Sequence, residues 1–242
     1  MKNIAVIFAG GIGKRMNAQS RPKQFLELNG KPVIIYTLEI FDNHPLIDGI
    51  IVSCVDGWIP FLERTIRHFG ITKVKGIVTG GNTGQTSIYN GLCEAERLAG
   101  SDISDTLVLI HDGVRPLINE QTITDNIEKG HRHGNCITCV PATETFVISN
   151  PDGTHTIPSR ADSMIARAPQ TFMLPDILDA HRRAIAQGHN DFIDSCTMMS
   201  HYGHSLTLTE GPSENIKITT PSDFFMFRAI TEAHENQQIF GF

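Results

Sequence analysis

The sequence predicts a three-layer α/β fold built on a mostly parallel central sheet, with a β-arm projecting from it. Three observations carry that expectation. Short, nearly continuous apolar runs alternate with amphipathic segments along the first half of the chain. Loops able to approach a ligand follow directly on several of those runs. Residues 137–172 then break the alternation with short β-like stretches around a turn signal. A chain of 242 residues is long enough for one sizeable core, and no repeat or low-complexity linker divides it, so 1–242 is expected to form one domain.

Asn3 to Phe8 is an apolar run that suits a parallel strand covered on both faces, and it enters Ala9-Gly10-Gly11-Ile12-Gly13 directly. Pro32 fits the first turn of a helix over Val33 to Phe41, where Val33, Ile34, Leu38 and Phe41 are the apolar residues. Gly49 to Cys54 is the next strand, followed by a helix in which Ile59, Leu62, Ile66 and Phe69 recur at three and four positions. Lys75 to Val78 is a weaker strand before Gly80-Gly81. From Thr86 a helix places Ile88, Leu92, Ala95 and Ala99 near one face and stops at Gly100. Thr106 to Ile110 is a strand ending at His111-Asp112-Gly113. Asn150-Pro151-Asp152-Gly153 is the turn within the arm. Pro175 to Ala186 reads as a helix, Ser205 to Thr209 and Ile216 to Ile218 as strands, and Pro221 to Glu235 as a terminal helix. A protruding ribbon needs its edges covered, which makes a symmetric homodimer the expected assembly.

A formal charge of −6 argues against broad binding to a nucleic-acid backbone. No stretch reaches the roughly 20 apolar residues of a membrane span. The first residues lack the apolar core and cleavage pattern of a secretory signal, so the cytoplasm is the expected location. Five cysteines, an odd number, do not suggest a disulfide scaffold. His131-x-His133 and Cys136-x-x-Cys139 have the donor types of a zinc site. Cys136 to Val140 reads as a strand, however, and an odd separation sends the two thiols to opposite faces, so they are expected to be structural.

Against that acidic background, Lys14, Arg15, Arg21 and Lys23 form a local cationic cluster beside glycines. Ala9, Gly10, Gly11 and Gly13 let backbone N–H groups approach an anion without side chains in the way. The loop is neither common nucleotide fingerprint. It lacks G-x-G-x-x-G, and a Walker A loop would need glycine at Phe8 and Ser or Thr at Arg15. A structural turn would explain the glycines alone. Triphosphate binding also explains Arg15, with its forked donors, and Lys23, a flexible point charge. In the second loop, Thr86 or Ser87 can cap a helix or contact a ligand. Asp112 can cap a turn or, beside a triphosphate, ligate Mg2+. Arg115 can orient a phosphate or pair with a carboxylate. His111 is expected to be structural. Lys217 can face solvent or a ligand.

These blocks, Ala9 to Met16, Pro22-Lys23-Gln24-Phe25, Gly80-Gly81, His111 to Pro116 and Asn215-Ile216-Lys217-Ile218-Thr219, occur in one order over nearly the whole chain. In that combination the sequence resembles the methylerythritol-phosphate/ribitol-phosphate cytidylyltransferase family. The resemblance implies a Rossmann-like nucleotidyltransferase fold, CTP as co-substrate and Mg2+ at Asp112. It further implies nucleotide contacts at Gly81, Asn82 and Ser87, Lys217 close to the reacting phosphates, and an acceptor contact at Arg160 reaching across a dimer. With the charge reasoning above, Arg15, Lys23 and Lys217 are the expected catalytic cations and Arg115 a candidate acceptor contact. Ala9-Gly10-Gly11-Ile12-Gly13 and Asp194-Ser195-Cys196 are closer to the ribitol-phosphate branch. The expected reaction is therefore transfer of CMP to D-ribitol 5-phosphate with release of pyrophosphate. The alternatives are 2-C-methyl-D-erythritol 4-phosphate as acceptor, as in isoprenoid biosynthesis, and a nucleotide sensor without turnover. Ala168 stands where both branches commonly carry threonine, and the neighbouring Arg167 is a candidate replacement donor.

Overall fold

In the computed structural model, which describes residues 2–11 and 21–240, most of the apolar runs become strands of one seven-stranded sheet. β1 (Lys2–Ala9) is followed by a small antiparallel pair, β2 (Glu27–Leu28) and β3 (Lys31–Pro32), and by α1 (Val33–Asn43), which Pro32 precedes. β4 (Gly49–Cys54), α2 (Ile59–His68), β5 (Val74–Thr79), α3 (Gly84–Ala99) and β6 (Thr106–Asp112) continue the alternation. Then come α4 (Glu120–His133), β7 (Asn135–Pro141), a hairpin of β8 (Ile148–Ser149) and β9 (His155–Thr156), and β10 (Met164–Met173). α5 (Leu174–Ala186), α6 (Ser195–His201), β11 (Leu208–Glu210) and α7 (Pro221–Phe240) complete the chain.

The sheet order is β11-β7-β10-β6-β1-β4-β5, and β10 alone runs antiparallel to its neighbours. Strand side chains alternate faces, and the core divides accordingly. Ala5, Ile7, Ile50, Val52, Leu107 and Leu109 pack with residues of α1, α2 and α4. Ile4, Val6, Ile51, Val108 and Ile110 pack with residues of α3, α5 and α6. Each fully buried aliphatic side chain contributes about 1.5–3 kcal/mol to that sandwich.

From β1 the chain moves outward through β4 to β5. It then crosses back by α3 and sets β6 on the other side of β1. The strand order reverses between β1 and β6, a switch point whose carboxyl side leaves a crevice for ligands.

One helix is not anticipated, and two expected strands differ from the structure. Helix α4 carries Ile123 and Ile127 as its only buried aliphatic residues, so its hydrophobic pattern is too sparse to predict it. Its signals are terminal instead. Asn119 accepts from Thr122 N at 2.9 Å, and Gly134 closes the other end at φ 82°. The strand expected at Ser205 to Thr209 forms at Leu208–Glu210. The strand expected at Ile216 to Ile218 does not form. That segment is irregular, tied down by Ile218 N to Val114 O at 2.9 Å.

Of the segment 137–172, the main sheet takes 135–141 and 164–173. What projects is the β8–β9 hairpin, turned at Asn150–Gly153 through Gly153 N to Asn150 O at 3.0 Å. Cys136 and Cys139 are both buried in β7. Cys139 belongs to the cluster beneath α5 and α6, whereas Cys136 lies beside the charged residues Asp125 and Lys129 of α4, on the other face. Among the described residues, no helix is long and apolar enough to cross a membrane.

Candidate active site

Two cavities open at the carboxyl ends of β1, β4, β5 and β6. The larger, about 560 Å³, is bounded by Ala9, Gly10 and Gly11 after β1, Asp56 after β4, and residues 80–84 after β5. The smaller, about 260 Å³, lies between Arg115, Arg167 and the helices α3, α5 and α6. Phe8, Gly84, Asp112 and Lys217 line both, so the two spaces meet at one carboxylate and one ammonium.

The loops after β1 and β5 touch backbone to backbone. A Cβ on Gly80 would lie 2.8 Å from Gly10 Cα, and one on Gly10 would lie 2.6 Å from Ser87 Oγ. Close approach therefore demands glycine at both positions. Gln24 holds the first loop from below, its buried amide donating to Ala9 O at 2.6 Å and Gly11 O at 3.2 Å. Gln24 belongs to a 3-10 turn, Lys23–Phe25, whose Phe25 stacks on Trp58 at 4.9 Å. That anchored turn delivers Lys23 to the larger cavity, with Nζ donating to Ile218 O at 2.9 Å. Ser87 is fully engaged. Its Oγ accepts from Gly81 N at 3.0 Å and donates to Thr83 O at 2.9 Å. Thr83, not Thr86 or Ser87, caps α3 by accepting from Thr86 N at 3.1 Å.

Asp112, 6% exposed at the end of β6, accepts from Arg115 Nε at 2.8 Å and pairs with Lys217 Nζ at 2.6 Å. Burial alone would raise its pKa, but the adjacent Lys217 and Arg115 charges outweigh burial and hold it below the usual carboxylate range. Arg115 also donates to Asn215 O at 2.8 Å, and Asn215 Nδ2 donates to Ala168 O at 2.7 Å. These bonds place the irregular segment that carries Lys217 against the end of β6. Arg167 donates to Ser213 O at 2.7 Å, and burial followed by the neighbouring Arg115 lowers its pKa.

Ala9, Gly10, Gly11, Lys23, Gly81, Asn82, Ser87, Asp112 and Lys217 thus line the larger cavity, and Arg115 the smaller. Gly13 and Arg15 lie outside the described residues. Arg160 sits exposed in a 3-10 turn between the hairpin and β10, and it lines neither cavity. Gln24 and Asn215 position the site without any local signature beyond their motif blocks.

Two buried imidazoles near the site give it a pH response. Burial lowers His111 to about 4 against an ordinary 6.5, and its Nε2 donates to Arg115 O at 3.2 Å. Burial lowers His181, on the cavity face of α5, to about 4 as well. The unfolded chain binds these protons first as pH falls, so stability is complete above about 6.5 and is lost towards 4, by on the order of 3 kcal/mol per histidine. Thermal melts from pH 7.5 to 4.5 should show the midpoint falling in that window, with His181→Phe making the slope shallower. A slope unchanged by His181→Phe would contradict the buried neutral imidazole at that position.

A nucleotide-sized crevice at a topological switch point, joined through Asp112 and Lys217 to a cation-bearing second cavity, defines a Rossmann-like nucleotidyltransferase. The model of the 2-C-methyl-D-erythritol 4-phosphate cytidylyltransferase family matches residues 3–233, and the chain belongs to this family of cytidylyltransferases. It is 51% identical over 242 residues to a ribitol-5-phosphate cytidylyltransferase of Streptococcus agalactiae serotype V, with 100% of each chain covered. Against a 2-C-methyl-D-erythritol 4-phosphate cytidylyltransferase of Geotalea uraniireducens the identity is 34% over 239 residues, covering 98% of this chain and 100% of the relative. In fold it matches the crystal structure of 4-diphosphocytidyl-2C-methyl-D-erythritol synthase from Anaerococcus prevotii. The TM-score is 0.80 at 24% identity, with 96% of both chains covered.

Proposed function

We propose that the chain transfers CMP from CTP to D-ribitol 5-phosphate, releasing pyrophosphate and forming CDP-ribitol. The observation that carries this reading is the meeting of the two cavities at Asp112 and Lys217, with glycine loops around the larger and Arg115 and Arg167 in the smaller. CTP occupies the larger cavity and the acceptor the smaller. An acceptor phosphate oxygen attacks the α-phosphorus, a new P–O bond forms, and the α–β bond breaks with its electron pair leaving on pyrophosphate. The protein supplies no nucleophile. Lys23, Lys217 and Arg15 offset the charge that gathers on the phosphoryl oxygens, and the loops hold the two reactants in line. The 51% identity to relatives named for ribitol 5-phosphate, against 34% to one named for methylerythritol phosphate, supports the choice of acceptor.

Mg2+ fits the residues present. Asp112 Oδ1 is buried and lacks a well-aligned hydrogen bond beyond the Lys217 ion pair. Asp56 adds a second carboxylate to the same cavity. Mg2+ in phosphoryl-transfer sites takes one or two carboxylates and completes its shell with phosphate oxygens and water. Asp112 would hold the ion, which supplies charge neutralisation at the triphosphate.

The homodimer of this reading uses the hairpin. Val147, Ile148 and Ile157 stand exposed on it. Exposed apolar residues on a ribbon favour a second copy as cover. Arg160, which lines neither cavity of its own protomer, would then serve the partner's acceptor site.

One preparation tests the whole assignment. Supplied with CTP, Mg2+ and either polyol phosphate, the protein should elute as a dimer and release pyrophosphate with ribitol 5-phosphate. Turnover only with methylerythritol phosphate would reverse the acceptor assignment. CTP binding without pyrophosphate from either acceptor would favour a sensor.

A further inference from the structure

The polar groups of the smaller cavity divide sharply by what they already bind. Arg115 and Arg167 are held by backbone carbonyls, and Lys217 by Asp112. On the helical wall, Gln85 donates to His189 O at 2.9 Å and accepts from Phe192 N at 3.1 Å. Gln170 accepts from Cys196 N at 2.8 Å and donates to Asp194 Oδ2 at 3.2 Å. Asp194 is used again as the cap of α6, accepting from Thr197 N at 2.9 Å.

Two side chains on that wall remain. His181, from α5, is 1% exposed, and neither of its ring nitrogens has a partner. Ser195, from α6, is 2% exposed, and its Oγ has none either. Both line the cavity. An unsatisfied buried polar atom costs about 1–3 kcal/mol, so three on one cavity wall call for a ligand that completes them.

The chemistry of that ligand follows from the groups. Burial keeps the imidazole neutral, with one donor and one acceptor, and its ring is fixed by a stack on Tyr89 at 5.6 Å. Serine likewise offers one donor and lone pairs. A neutral hydroxyl, itself donor and acceptor, matches both, whereas a phosphate would leave the acceptor positions unused. The cations of the cavity come from the loop after β6 (Arg115), from β10 (Arg167) and from the irregular segment at Lys217, and the neutral pair comes from the helices, which matches a molecule with a phosphate at one end and hydroxyls along the rest.

We propose that His181 and Ser195 bind hydroxyls of the acceptor's polyol chain and so determine which polyol phosphate is used. This rests on the assignment of the smaller cavity to the acceptor. His181→Phe keeps the ring stack and removes both nitrogens. Ser195→Ala removes one oxygen without adding volume, and it decides the matter by itself if His181→Phe does not fold. The measurement is kcat/KM for ribitol 5-phosphate and for glycerol 3-phosphate, which retains the phosphate but is two hydroxylated carbons shorter, together with KM for CTP. Each variant should lose roughly 10-fold in the preference for ribitol 5-phosphate over glycerol 3-phosphate, with KM for CTP unchanged. Variants that keep the wild-type preference would overturn the proposal while leaving the acceptor assignment in place. A wild-type protein inactive with ribitol 5-phosphate but active with another polyol phosphate would overturn the ribitol assignment instead. The same preference, measured with that acceptor, would then decide the role of the pair.

Discussion

Replacing Lys23 with alanine should lower kcat by about 100-fold or more, the loss expected when a preorganised charge is removed from a phosphoryl-transfer site. The fold should survive. Losing the bond from the ammonium to Ile218 O costs about 1 kcal/mol, or a few degrees in the melting midpoint of a chain this size. The turn that carries position 23 is held by other residues. Phe25 is stacked on Trp58 and meets Phe61 edge-on at 5.2 Å, and Gln24 is bonded to the first glycine loop. Steady-state kinetics separates the possible roles. A fall in kcat with little change in KM for CTP places Lys23 at the transition state, and a rise in KM alone would make it a ground-state contact. Near-normal turnover by a folded Lys23→Ala protein would remove it from the chemistry.

Asp112→Asn should be as severe, with kcat down by roughly 100- to 1,000-fold and CTP binding, measured by calorimetry, losing its dependence on Mg2+. The amide keeps the size of the carboxylate and one acceptor for Arg115 but removes the charge that Lys217 and Arg115 share. Lys217 is 41% exposed, so solvent moderates the loss of stability to about 1–3 kcal/mol, below that of a fully buried pair. The pH response distinguishes this from a general weakening. The folded pKa of Asp112 is depressed, so its contribution is present above the unfolded carboxylate value and is lost as pH falls through the folded one. Asp112→Asn should therefore cost stability at neutral pH and less in strong acid. An Asp112→Asn protein with wild-type turnover and unaltered Mg2+ dependence would exclude the carboxylate from both roles.

The parts of the site legible in the sequence were those with a local cause. Gly10 and Gly80 mark backbone contacts that no side chain tolerates, and Asp112 follows an apolar strand that ends at the crevice. Helix α4 escaped because Ile123 and Ile127 give too little periodicity, although Asn119 and Gly134 bracket it. His181 had a legible signal in retrospect, a polar residue on the stripe of α5 that also buries Ile177, Leu178 and Ala184. Lys217 is the opposite case. Alternation suggested a strand at 216–218, and only the bond from Ile218 N to Val114 O shows why none forms there.

The layered α/β class, the order of most elements and the glycine loops are legible in the chain without its fold. Each depends on interactions among residues close in the chain, where apolar periodicity and backbone freedom act directly. The tertiary structure alone decided that Lys217 and Arg115 share Asp112, that Gln24 pins the first loop, and that Ser87 is spent on Gly81 and Thr83. It also decided that His181 and Ser195 face one cavity without partners. The pair of Lys217 with Asp112 joins residues far apart in the chain. Even the short-range pairings depend on how strands and helices pack, because a hydrogen bond or ion pair is set by distances of about 3 Å that no local pattern encodes.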